Sequence, residues 1–376
     1  MIIHPYPLLK ILNKFKRTVN TAPDNIRGHH YIDNDSRKAF SRGAWAFRYV
    51  IEKALTSCQS RAITIFLPAY FCGEPLFVFR QYNISIFYYD VDDHLKPCWG
   101  TLNQSLKEFH GYGIFFLVHY FGKENDYETA FSFCAKYRLT LLEDCAHCLE
   151  PFNRPNPGYM IFSPWKLLGI PPLSFLLQPK LKCMYSESDN NYASFKAQDA
   201  KWLLSNLCYK IQTAIRWPFY TPPSSALSTY QAFEDVDASI KTPSRFALWL
   251  CEKELCRLKF IKQRRWDNHK MISNAIAELN GIRPLFAGWE DPKATPFAYA
   301  AKAVDFSKAM HERLVRAGVP LSTWPDLPPE IRSNRVKFPK AKLLSSQVLL
   351  FPIHQDISKK EMEKMCSTLK AVWRSF

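Results

Sequence analysis

LTLLEDCAHCLEP, residues 139–151, and GYMIFSPWKLL, residues 158–168, are the stretch whose reading decides the fold. The apolar run Leu139–Leu142 suits a strand buried on both faces, as in a parallel sheet. It ends in two carboxylates, Glu143 and Asp144. Open α/β sheets bind their ligands just outside the C-terminal ends of such strands. A second apolar run, Tyr159–Phe162, delivers Ser163 and, three residues on, Lys166. Between Trp165 and Leu167, that lysine is either a snorkelling surface charge or an amine held in a pocket.

Outward from this stretch the chain alternates strand and helix. Strands are expected over Ala62–Leu67, Ile84–Tyr89 and Gly113–Val118, the last ending in His119-Tyr120-Phe121-Gly122. A helix over Tyr127–Tyr137, burying Phe131 and Cys134, leads into the strand at Leu139. Upstream, Arg42-Gly43-Ala44 opens a helical pattern through Ile51 and Leu55, a start that can present free backbone N–H groups to a phosphate. Residues 185–240 read as an irregular insert, with an exposed loop at Thr221–Ser225. One long helix is expected from Pro243 to Leu279. A smaller unit follows, with strands Phe297–Val304 and Val348–Pro352, a helix Ser307–Ala317, and a last helix opened by a Ser358/Glu361 capping box. The fold class is therefore α/β, a large domain with a doubly wound, mainly parallel sheet plus a smaller α+β domain. The expected division falls at 1–245 and 246–376.

Composition narrows the class. Lysine and arginine exceed aspartate and glutamate by 50 − 34 = 16 among 376 residues. That excess suits an anionic partner or is simply a solubility balance. With no zinc-finger spacing, RNA-binding signature or long basic block, nucleic acid is not an expected partner. The 11 cysteines are odd in number and scattered, which reads as reduced thiols in a cytoplasmic protein. Cys145-Ala146-His147-Cys148 forms a CxxC without a matching second pair, so no metal site is expected. Residues 159–177 are apolar but carry Lys166, Pro164, Pro171 and Pro172, which fits two strands and a turn rather than a membrane helix. Leu8–Arg17 is a short basic amphipathic stretch that either docks on its own domain or touches a membrane surface.

An acid at one strand end and a lysine just beyond the next is the pairing that pyridoxal 5′-phosphate (PLP) requires. The amine forms a Schiff base, and the acid keeps the pyridine nitrogen protonated so that the ring accepts electrons.

The order of segments sharpens this reading. A Gly-helix start at Gly43, PAYFC at 68–72, VHYFG at 118–122, LLEDCAH at 141–147, FSPWK at 162–166 and LLFPIHQDIS at 349–358 occur in sequence. Together they make the chain resemble the DegT/DnrJ-type sugar aminotransferases, PLP enzymes of fold type I, from about Gly43 to the C-terminus. The resemblance implies that Lys166 is the Schiff-base lysine and proton shuttle, with pyridoxamine phosphate formed in the half-reaction. It implies that Asp144 pairs with the pyridinium nitrogen and that His147 contacts the phenolic oxygen. Ser163 and the backbone of Gly43 and Ala44 would hold the phosphate. One aromatic of Tyr70 and Phe71 would stack on the ring, although the usual aromatic position falls on Cys72. His119 and His354 read as structural.

The resemblance also implies an amino transfer, from glutamate, to a nucleotide-diphosphate-linked keto-sugar, in amino-sugar and surface-polysaccharide synthesis, by a homodimer. Some residues depart from the family pattern. Gly158-Tyr159 stands where Gly-Asp is usual, Pro172-Leu173-Ser174 where a pair of glycines is usual, and Ala44 where a hydroxyl residue is usual. These departures keep two alternatives open, a non-catalytic homologue acting as a partner in a glycan pathway and an enzyme for a non-sugar carbonyl. A lysine rather than a histidine at 166 disfavours the dehydratase branch. Lys201, Arg216 and Tyr230 are substrate-contact candidates from the insert.

Overall fold

The apolar runs become strands, as their composition dictates. The computed structural model describes residues 37–57, 63–73, 75–107, 109–152, 154, 158–178, 192–214, 242–324, 326–333 and 337–376. Leu8–Arg17, Thr221–Ser225, Arg216 and Tyr230 lie outside the described residues.

The first half runs β1 (Arg37–Phe40), α1 (Gly43–Ser57), β2 (Ile63–Pro68), α2 (Leu76–Arg80), β3 (Ser85–Tyr89), α3 (Trp99–Ser105), β4 (Tyr112–Val118), α4 (Tyr127–Tyr137), β5 (Thr140–Cys145), β6 (Tyr159–Phe162) and β7 (Ser174–Leu177). Its strands form one sheet in the order β1-β7-β6-β5-β4-β2-β3. The contacts among β3, β2, β4, β5 and β6 are all parallel, whereas β7 runs against both β6 and β1. This is the expected doubly wound, mainly parallel sheet. Its core is rich in aromatic rings. Phe116 of β4 packs on Phe47, Phe71 and Phe79, and Phe115 stacks on Tyr89 at 5.2 Å.

Helices α5 (Ala197–Ala214), α6 (Arg245–Leu255) and α7 (Leu258–Ala277) follow. The last unit contains β8 (Ile282–Pro284), β9 (Tyr299–Ala303), α8 (Lys308–Arg316), β10 (Ser322–Thr323), α9 (Pro329–Ser333), α10 (Pro339–Gln347), β11 (Val348–Phe351) and α11 (Lys359–Trp373). Its four strands make an antiparallel sheet in the order β10-β11-β9-β8. Ser358 and Glu361 form the expected capping box at the start of α11. The two sheets share apolar packing, because Ala298, Ala300, Leu327, Leu344 and Leu350 join the core of the larger sheet.

Four sequence expectations are corrected. Strand β5 does not stop at Leu142 but carries Glu143, Asp144 and Cys145 within its pairing. The long helix from Pro243 is two helices, broken at Cys256-Arg257, where Arg257 leaves the helical region at φ −103°, ψ 13°. The insert is not wholly irregular, since 197–214 is helical. Residues 37–40, for which no element was expected, form an edge strand on β7. Among the described residues, no helix is long and apolar enough to cross a membrane.

Candidate active site

Pairing sets the stage at the C-terminal end of the sheet. Asp144 lies opposite Ile161 and Cys145 opposite Phe162 across β5 and β6. Ser163 and the 3-10 turn Pro164–Lys166 therefore emerge from β6 beside Asp144. Asp144 is buried, at 8% exposure. Its Oδ1 accepts the Ala146 N–H at 3.0 Å, and its other oxygen has no hydrogen-bond partner among the described residues. Burial pushes this carboxyl above its usual range, opposed by the Lys166 ammonium, the Ala146 N–H and His119. Lys166 is half-buried and makes no side-chain hydrogen bond or ion pair among the described residues. A lysine on the rim of a core without a partner is an uncommitted amine, unlike an ordinary surface ion pair.

His147 is 5% exposed, and its Nδ1 accepts the Phe121 N–H at 3.3 Å. Burial and, less strongly, the Lys166 charge hold the imidazole well below its ordinary value, so the ring is neutral at pH 7. With Nδ1 accepting, the proton sits on Nε2, which can donate. Phe297 stacks on this ring at 4.3 Å, Phe121 lies near-parallel at 5.9 Å, and Trp324 meets it edge-on at 5.6 Å. The Phe121 backbone is left-handed at φ 58°, followed by Gly122 at φ 90°. A Cβ on Gly122 would stand 2.5 Å from the Thr295 carbonyl oxygen, so only glycine fits there.

Helix α1 closes the other side. A Cβ on Gly43 would meet Ser163 Oγ at 3.3 Å and Ser174 Oγ at 3.9 Å. The two serines are buried and share a hydrogen bond of 3.0 Å. The N–H groups of Gly43 and Ala44 have no partner among the described residues, and the first turn of the 15-residue helix holds no acidic residue. Two free amides, the positive end of a helix dipole and two hydroxyls converge here, which is the chemistry of an anion cradle. Ser174 was not among the sequence candidates. Its only signal was negative, a side chain where the family usually has glycine.

The remaining candidates point elsewhere. Tyr70 is fully buried, donates its hydroxyl to the Trp324 carbonyl, and meets the Tyr120 and Trp324 rings. It is therefore linked to His147 through intervening rings, Trp324 among them. Phe71 packs into the core against Phe116, and the Ala44 side chain is core as well. Cys72 is half-buried in the loop that Gly73 ties to the Asp326 carbonyl at 3.0 Å. Lys201 lies exposed on α5. Cys145 and Cys148 are free thiols buried in the core, and His354 pairs with Asp356 at 3.1 Å. His119 is buried, accepts the Asn125 N–H at Nδ1 (3.0 Å), and faces Glu143 through Nε2 (3.0 Å).

No protein-family model and no curated protein matches this sequence. Solved structures do match over nearly the whole chain. One is the Helicobacter pylori aminotransferase PseC, involved in the biosynthesis of pseudoaminic acid, at 11% identity and a TM-score of 0.67, covering 100% of this chain and 99% of that one. A DegT/DnrJ/EryC1/StrS aminotransferase from Brucella abortus matches at 13% identity and 0.66, covering 97% and 96%. The synthase of 3-amino-5-hydroxybenzoic acid matches at 14% identity and 0.66, covering 100% and 99%. At such low identity the likeness is one of architecture, and the chain has the fold of the DegT/DnrJ-type aminotransferases.

Proposed function

We propose that this protein is a PLP-dependent aminotransferase that moves an amino group, from glutamate, onto a nucleotide-diphosphate-linked keto-sugar. The observation that carries the reading is the pairing of a buried carboxylate with a free oxygen, Asp144, and an uncommitted amine, Lys166, at one end of the sheet. The residues present fit the cofactor. Asp144 would hold a proton on the pyridine nitrogen, and that cationic partner would relieve the burial that now raises its carboxyl. The Nε2–H of His147 would donate to the ring oxygen. The Gly43 and Ala44 amides with the Ser163 and Ser174 hydroxyls would hold the phosphate, and Gly43 leaves the room a Cβ would take. When bound, PLP supplies an electron sink for charge developing at the carbon beside the transferred nitrogen. Lys166 Nζ would anchor the cofactor and, once released, carry the proton between the donor's Cα and the cofactor's C4′ carbon, on the two sides of the transferred nitrogen. The aromatic wall of Phe121, Phe297 and Trp324 would exclude water from His147.

The excess of basic residues supports an anionic acceptor such as a nucleotide diphosphate. An acceptor with a non-sugar carbonyl is the second reading. The likeness to 3-amino-5-hydroxybenzoic acid synthase and the aromatic wall favour it. The test is the visible spectrum of the purified protein with PLP, beside Lys166→Ala. A borohydride-sensitive band in the wild type, shifted by glutamate and missing in the variant, is the expected result. Absence of any such band at saturating PLP would sink the enzyme reading and leave a fold put to another use. Lys166→Ala should also lower turnover by about 10²–10⁴-fold, the usual range for loss of a positioned acid–base group.

A further inference from the structure

Arg265, in the middle of α7, is the largest fully buried side chain among the described residues, at 1% exposure. Burial pulls its guanidinium down to about 9, against the opposing charge of Asp356, so it remains a cation at neutral pH. Its hydrogen bonds go to neutral oxygens. Nε donates to Gln355 Oε1 at 2.8 Å, Nη1 to the Pro296 and Phe297 carbonyls at 3.0 Å each, and Nη2 to the Leu167 carbonyl at 2.7 Å. Gln355 also donates to the Leu167 carbonyl, at 3.2 Å. Asn268, one turn along α7, holds the adjoining His354 carbonyl at 2.9 Å.

These acceptors are not scattered. Leu167 directly follows Lys166, at the end of a turn only three residues long. Within that turn, the Leu167 and Leu168 N–H groups both close on the Pro164 carbonyl. The carbonyl just past the turn, that of Leu167, is held from 98 and 188 residues away. Phe297 carries the ring stacked on His147. One planar fork therefore ties the turn bearing Lys166 to the backbone bearing the ring that covers His147. A cation this deep is costly, and a well-packed apolar side chain would serve stability as well. The fork geometry, which lysine lacks, is what joins the two segments.

We propose that Arg265 is a positioning residue of the site, clamping the Lys166 turn and the Phe297 backbone in one arrangement, with Gln355 as its second jaw. The effect on the cofactor rests on the reading of Lys166 given above, whereas the clamp itself does not.

The experiment uses the full chain as wild type, Arg265→Gln, Arg265→Lys and Gln355→Leu. Amide hydrogen exchange without PLP reads the clamp. Peptides covering 164–168 should exchange about tenfold faster in Arg265→Gln, the scale of one lost charge-assisted hydrogen bond. Arg265→Lys should recover part of that protection, and strand 112–118 should not change. Equal acceleration everywhere, or none at 164–168, overturns the clamp. Should the Arg265 variants fail to fold, Gln355→Leu decides by the same peptides, with an expected acceleration of about threefold. Borohydride with PLP then reads the consequence as the fraction of chains labelled at Lys166, which should fall in step with protection. An unlabelled wild type overturns the cofactor reading and leaves the exchange result to judge the clamp.

Discussion

Two neighbouring carboxylates on one strand, facing opposite sides of the sheet, are treated differently. Glu143 is sealed at 0% exposure, and its Oε2 takes the Arg154 guanidinium at 3.1 Å and the His119 ring at 3.0 Å. Arg154 is in turn held by Glu124 and lies over the Tyr127 ring at 3.8 Å. Asp144, on the other face, has one backbone N–H and a lysine charge that no contact neutralises. Both groups sit in low-dielectric surroundings, so both are costly to bury. The first meets a guanidinium and an imidazole through Oε2, while its Oε1 is buried without a hydrogen-bond partner among the described residues. The second is left in deficit, and such a deficit is what a ligand can fill.

The largest expected effect comes from breaking the sealed side. Glu143→Ala leaves half-buried Arg154 with Glu124 as its remaining carboxylate and should cost about 3 kcal/mol in urea unfolding. The same kind of change on the open side should act in the opposite direction. A group whose folded pKa is raised contributes stability below its unfolded value, and that contribution is lost as pH rises through the folded one. Burial raises Asp144, so the wild type without cofactor is weakened by this carboxylate at neutral pH. Asp144→Asn should therefore melt higher at pH 7, with the gain fading as pH falls through the raised value to the ordinary carboxylate range near ~3.9. The same variant should bind PLP more weakly, and a lower melting point at pH 7 would contradict the contrast. The smallest effect is expected at the cradle. Ser174→Ala removes one neutral hydroxyl and should weaken PLP binding about fivefold, near 1 kcal/mol, in a fluorescence titration. Binding of phosphate-free pyridoxal should not change.

The sequence made the deficit visible and hid the compensation. Asp144 and Lys166 stand at the ends of apolar runs, where period and composition are strongest, so their placement could be read directly. The partners of Glu143 come from residues 119 and 154, and Arg265 meets Leu167 from 98 residues away; no local pattern encodes such pairings. The central strands were legible for the same reason as the site. β1, β8 and β10 are two to four residues long and partly polar, so they carry too little alternation to stand out. The break between α6 and α7 has no proline or glycine to announce it, because Cys256 and Arg257 are compatible with helix. One aromatic of Tyr70 and Phe71 was expected over the ring on family grounds; the surroundings of both are decided by Trp324 and Phe116, which tertiary packing brings to them.

The long reach of the Leu167 contacts also orders events in time. A chain made from its N-terminus carries Lys166 well before either group that fixes the turn behind it. Gln355 is added 188 residues after Leu167, which at about 5–20 residues per second is a delay of roughly 10–40 s. Until Arg265 follows, 98 residues after Leu167, the amine sits on a turn held by its own short hydrogen bonds. The Lys166 amine is thus synthesised before the two groups that set its turn in place. A truncated product ending before Gln355 would carry Lys166 on a turn with half its clamp missing.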